Sequence, residues 1–181
     1  MTDPDAAVAA FDALLPHEAA PMLQTCCGST AWVNGMLVRR PFTTLHVLLR
    51  DAEQLWWDLT PDDWREAFDH HPRIGETVAA VAQGDASRKW STSEQSGASS
   101  AADDTRRLLA EGNREYERRF GHIYLLCATG MTGDEMLASL RERMRNDPAT
   151  ELRVAAGEQA KITRLRLLKM FGGDPSTLSA E

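Results

Sequence analysis

Cysteine is scarce in this chain, and metal-ligand spacing is missing. Its three cysteines, two of them adjacent at Cys26 and Cys27, make an odd count without a C-x-x-C pair, so neither a disulfide framework nor a zinc site is encoded. Long apolar runs are absent as well: none approaches the ~20 residues that cross a bilayer. The opening Met1-Thr2-Asp3-Pro4-Asp5 is acidic where a secretory signal would be basic, which predicts a cytoplasmic protein with no membrane partner. Positive charge is in deficit, with 20 basic against 27 acidic residues and a net charge of -7, so the surface repels a phosphate backbone and nucleic acid is not expected as a partner. Period-two alternation and internal repeats are also lacking.

What is present is helix after helix. At 181 residues and 43% hydrophobic, the chain is long enough for one compact core. The expected fold is all-α, a single-domain multi-helix bundle over residues 1–181. From Leu45 the apolar positions Leu48, Leu49, Ala52, Leu55, Trp56 and Leu59 follow the i, i+3, i+4, i+7 rule. Thr60-Pro61-Asp62-Asp63 offers an N-cap hydroxyl, proline at the first helical position and acid in the first turn, so a second helix starts there, turns Trp64, Ala67 and Phe68 inward and runs into His71. Another spans about Ala102 to Phe120, where Gly121 ends it. Thr132 with Glu135 forms a capping box ahead of Met136, Leu137, Leu140 and Met144, and Asp147-Pro148 opens a last long helix through Leu152, Ala155 and Ile162. Shorter helices are expected around Phe11 to Leu15, Pro21 to Cys26 and Ala31 to Val38.

Three places carry chemistry. In His71-Pro72-Arg73-Ile74-Gly75 the proline disfavours the α region for His71 and fixes its own φ, so the imidazole sits at a rigid helix exit. A histidine held in this way is suited to give or take a proton near neutrality. Between Gly84 and Ala101 six serines crowd around Trp90. A flexible linker is one reading; Ser91-Thr92-Ser93-Glu94, a capping box that presents a hydroxyl and a carboxylate at a helix N-terminus, is the other. Arg166 falls four residues after Ile162, on or beside an apolar stripe. There it either snorkels, with its head in water, or turns its planar fork to a carboxylate or a developing oxyanion.

Taken in order, these elements resemble the 2-oxo-4-hydroxy-4-carboxy-5-ureidoimidazoline decarboxylases. The likeness is carried by Trp32 with Arg40-Pro41-Phe42; His71-Pro72 with Gly75; Ser91, Glu94, Gln95 and Gly97; Asn113, Tyr116, Phe120 and Gly121; Arg143 with Asn146; and Glu151 and Ile162 with Leu165-Arg166-Leu167. The resemblance implies an all-helical homodimer that needs neither metal nor organic cofactor and decarboxylates a small ureidoimidazoline to S-allantoin in urate degradation. It implies catalytic roles for His71, Glu94 and Arg166, and substrate contacts at Pro72, at Ser91, Thr92, Ser93 and Gln95, and, through backbone groups, at Tyr124, Leu125, Leu126, Cys127 and Ala128. His70, and His122 with Tyr124, depart from the family pattern and put the polarity of the pocket in question.

Two rival readings stand beside it. A metal-dependent hydrolase would draw on His46, Asp69, His70, His71 and Glu94, but no H-E-x-x-H spacing occurs and Pro72 interrupts the helix where one is needed. A binding or regulatory protein on the same scaffold would lack a site residue, and none of the three is missing. Trp56, Trp57 and Trp64 are expected in the core or at a subunit interface, Cys26 and Cys27 as small apolar residues, His17 and His46 as satisfied or solvated groups, and Arg114 to Arg119 as the wet side of a helix.

Overall fold

The computed structural model describes residues 3–74, 90, 94, 96–99 and 101–175. Among these are nine helices and no strand: α1 (Pro4–Asp12), α2 (Pro16–Cys26), α3 (Thr30–Arg39), α4 (Leu45–Asp58), α5 (Pro61–Asp69), α6 (Ser96–Ser99), α7 (Asp103–Phe120), α8 (Gly133–Arg143) and α9 (Pro148–Phe171). The chain divides into two compact units, one formed by Met1–Glu66 with Ala160–Glu181 and the other by Ala67–Gln159.

Local signals set most helix ends. Thr60 and Asp63 cap α5 reciprocally, the Thr60 N–H reaching the Asp63 carboxylate at 3.0 Å and the Asp63 N–H reaching the Thr60 hydroxyl at 3.3 Å. Gly121 closes α7 in the left-handed region at φ 74°, its N–H donating to the Glu117 carbonyl at 2.9 Å. Thr132 and Glu135 form the expected capping box on α8. Asp147 accepts the N–H groups of Ala149 and Thr150 at the start of α9.

Two early helices differ from expectation. The first runs over Pro4–Asp12, not Phe11 to Leu15, because Asp3 accepts the Asp5 N–H at 3.1 Å and Pro4 opens the helix, while Leu15 is extended ahead of Pro16. The second begins at Pro16 and carries Pro21 in its interior. A proline there removes a hydrogen bond and strains the turn by about 3 kcal/mol, which the burial of Ala19, Leu23 and Cys26 offsets.

In the first unit α2 packs on α3, and α4 receives both α1 and α3. Its core holds Trp32, Met36, Leu48 and Trp56, with Phe11 edge-on to Phe171 at 5.4 Å. The indole N–H groups of Trp32 and Trp64 donate to the carbonyls of Ala52 and Trp56 at 3.0 and 2.9 Å, so burying these rings strands no donor. Trp56 and Trp64 are core residues, whereas Trp57 is 43% exposed. In the second unit α7 packs on α8 over a cluster of Leu109, Tyr116, Met136, Leu137 and Leu140.

Candidate functional site

His71 lies just beyond α5. The chain stays wound after Asp69, the His71 N–H donating to the Phe68 carbonyl at 3.0 Å, and Pro72 then ends the coil. The two adjacent histidines diverge: His70 is exposed and His71 is buried. The exit is held from α7. Glu117 accepts Arg73 Nε and Nη2 at 2.5 and 2.9 Å, and Asn113 Nδ2 donates to the Ile74 carbonyl at 2.7 Å. The run Arg114 to Arg119 is therefore wet only in part: Tyr116 is fully buried, and Glu117 pairs across 44 residues, not along its own helix.

Glu94 is also buried, and His46, Asp69 and His70 of the rival metal reading are exposed. Four residues beyond Glu94, Ala98 of α6 enters the apolar core. Gly97 must be glycine for space, since a Cβ there would stand 1.8 Å from the Met131 carbonyl oxygen. Gly75, Ser91, Thr92, Ser93 and Gln95, with the capping box proposed for Ser91, lie outside the described residues.

The stretch Tyr124 to Ala128 runs as irregular chain between α7 and α8, yet it is held at several points. The Tyr124 hydroxyl donates to the Met136 carbonyl at 3.3 Å, and burial pushes its pKa up. Arg143 Nη1 donates to the Leu125 carbonyl at 2.7 Å, the Cys127 N–H donates to Glu158 Oε2 at 2.7 Å, and the Ala128 carbonyl accepts the Met131 N–H at 3.0 Å. Arg143 is itself fixed by Glu151, which is fully buried and accepts its Nε at 2.8 Å. Glu151 also accepts Asn146 Nδ2 at 2.7 Å and the Tyr116 hydroxyl. Burial, with this carboxylate beside it, raises the Tyr116 pKa well above the usual phenol range, so it stays a neutral donor. Arg143 and Glu151 were legible only as members of a pattern. Nothing in their spacing of eight residues announces a buried ion pair.

Arg166 belongs to the other unit. It does not snorkel: the residue is 3% exposed, and Nη1 donates to the Thr25 carbonyl at 3.2 Å, among the last carbonyls of α2. Cys27, past the same helix end, is fully buried, and burial pushes its thiol up to about 12, so it is a neutral, inert group at physiological pH.

Three of the predicted segments thus meet on one apolar cluster. Ile74 from the His71 block, Ala98 from the Glu94 block, and Tyr124 and Ala128, with Leu126 packed alongside, all pack into the same group of side chains. Among the described residues no group of three or more histidine, cysteine or acidic side chains forms a metal cage, and no helix is long and apolar enough to cross a membrane.

Comparison with known proteins gives this arrangement a family. The family model described as OHCU decarboxylase matches residues 12–168. The chain is 39% identical over 158 residues to the uric acid degradation bifunctional protein TTL of Arabidopsis thaliana, covering 86% of this chain and 48% of that protein. It is 33% identical over 87 residues to the 2-oxo-4-hydroxy-4-carboxy-5-ureidoimidazoline decarboxylase of Mus musculus, covering 48% of this chain and 49% of the relative. The chain spans about half the length of these curated relatives. A solved OHCU decarboxylase, crystallised in the presence of (S)-allantoin, superposes with a TM-score of 0.73 at 34% identity, over 84% of this chain and 98% of that one. With the family pattern running from Asp12 to Leu168 and the fold matched by a solved member, the chain belongs to the OHCU decarboxylase family.

Proposed function

We propose that this protein decarboxylates 2-oxo-4-hydroxy-4-carboxy-5-ureidoimidazoline to S-allantoin and carbon dioxide in urate degradation, as a cytoplasmic homodimer without metal or organic cofactor, with residues 1–181 acting as one functional domain. The observation that carries this reading is the shared apolar cluster beneath the His71, Glu94 and Tyr124–Ala128 segments, in a chain whose family is decarboxylating.

In the reaction the bond from the hydroxyl-bearing ring carbon to the carboxylate breaks, and its electron pair moves into the bond to the neighbouring ureido-bearing carbon, whose C=N double bond passes a pair to the ring nitrogen. A proton is then delivered from one face to the neighbouring, ureido-bearing carbon, while the hydroxyl on the first carbon gives up its proton and becomes the ring carbonyl of S-allantoin. His71, fixed by Pro72 and by the grip on Arg73 and Ile74, is the proton-transfer group, and general acid–base help of this kind is worth roughly 10²- to 10⁴-fold. Glu94 orients the imidazole or a substrate N–H. Backbone groups of Tyr124, Leu125, Leu126, Cys127 and Ala128 hold the ureide, with Pro72, Ser91, Thr92, Ser93 and Gln95 as further contacts. The resemblance assigns Arg166 the stabilisation of developing negative charge.

His71→Asn is expected to melt as the wild type does, since the exit is held through Arg73, Ile74 and the His71 backbone, and to lose stereospecific S-allantoin production from freshly generated substrate. Near-normal turnover would remove the imidazole from the mechanism. Wild-type protein treated exhaustively with chelator is expected to keep its full rate; a loss restored by a divalent ion would favour the metal-dependent alternative.

A further inference from the structure

We infer that Glu158, with Arg143 opposite it, is a positioning residue that prepares the backbone of Leu126 to bind the substrate's ureide, an inference that rests on the function proposed above. Arg143 grips the peptide group between residues 125 and 126 by its carbonyl, at 2.7 Å, and Glu158 grips the next peptide group by its N–H, also at 2.7 Å. Among the described residues the one cis peptide is Arg40–Pro41, so both of these peptides are trans, and in a trans peptide the N–H points away from the C=O. The Leu126 N–H therefore points away from the Arg143 cation, and the Leu126 carbonyl points away from the Glu158 carboxylate.

A cation on a peptide's oxygen strengthens its N–H as a donor, and an anion on a peptide's N–H strengthens its oxygen as an acceptor, because bonded groups polarise one another. Leu126 is thus left with one sharpened donor and one sharpened acceptor, and among the described residues neither meets a protein partner. A donor and an acceptor on one residue match the adjacent C=O and N–H of a ureide. The two ions also fix the direction of this irregular chain, which has no helical hydrogen bonds of its own.

The test compares Glu158→Ala and Glu158→Gln with the wild type by KM, kcat and melting temperature, and by calorimetric titration with (S)-allantoin. Glu158→Ala is expected to raise KM and weaken allantoin binding about tenfold, the scale of one ligand hydrogen bond to the Leu126 backbone lost when that backbone is no longer held, with kcat changed far less. Glu158→Gln keeps an acceptor oxygen and should fall between the two; if the alanine variant does not fold, the glutamine variant decides alone. A lower melting temperature with KM and allantoin affinity unchanged would overturn the inference and leave the functional reading standing. A wild type that neither turns over the substrate nor binds allantoin would overturn both.

Discussion

The two units put charge to different use. In the unit of residues 1–66 and 160–181, several charged side chains that tie distant segments together reach for backbone groups, and the ion pair of Arg39 with Asp58, at 3.8 Å, is partly exposed. Asp12 accepts the N–H groups of Phe42 and Thr43 at 2.9 and 3.1 Å, Glu66 accepts that of Thr30 at 3.0 Å, and Arg40 donates to the carbonyls of Phe11 and Leu14 at 3.1 and 2.9 Å. In the unit of residues 67–159 charge meets charge in the dry interior, with Glu151 fully buried against Arg143 and the Tyr116 hydroxyl. A carboxylate near the surface that caps a backbone N–H can be replaced by water at modest cost. A buried pair cannot, because removing either member leaves the other charge desolvated and alone.

The largest test of this contrast is Arg143→Met. It strands the Glu151 carboxylate and should cost about 3–5 kcal/mol, read as a lowered denaturation midpoint, whereas Glu66→Ala in the other unit removes a cap worth about 1 kcal/mol. Equal losses would erase the distinction. A middle-sized effect is expected from the glycines. Gly97→Ala drives a Cβ onto the Met131 carbonyl oxygen, 1.8 Å away, and backbone cannot yield as a side chain can, so roughly 1–3 kcal/mol is lost. Gly35→Ala meets only the end of Leu55, at 2.6 Å, and should cost less because that side chain can rotate.

The smallest effect is a titration. Hydrogen bonds from the Thr132 backbone and hydroxyl hold the Glu135 carboxyl below its ordinary value of 4.5. Its contribution is therefore complete above that value in the unfolded chain and disappears as pH falls through the lower folded value. Acid melting curves of Glu135→Gln should lack this component. The neutral Ser29 cap of α3 contributes none in either protein.

How much of this was legible depended on distance along the chain. The starts of α5, α8 and α9 and the end of α7 were readable because Thr60-Pro61, Thr132 with Glu135, Asp147-Pro148 and Gly121 act within one turn. The start of α2 lies at Pro16 and not at Pro21 because Glu18, in the first turn after Pro16, accepts the Leu15 N–H at 2.9 Å and Ala19 is buried one residue further on, whereas no acidic residue follows Pro21 in its first turn. His71 announced itself through its proline. Whether Arg166 was wet or buried could not be read from its place on a stripe, since the Thr25 carbonyl that receives it is 141 residues away. Glu158 gave no signal, because its partner is a backbone N–H, which every residue but proline carries.

By itself, then, the sequence determined the helical class, most helix boundaries and the rigid exit at Pro72, all of which follow from periodicity and from capping groups a few residues apart. Only the tertiary structure decided which charges are buried together and which peptide groups they hold. Those choices join residues 39 apart at Asn113 and Ile74, 35 apart at Tyr116 and Glu151, and 31 apart at Cys127 and Glu158. The energy of such a pairing depends on the water excluded around it, and that is fixed only when the helices have packed.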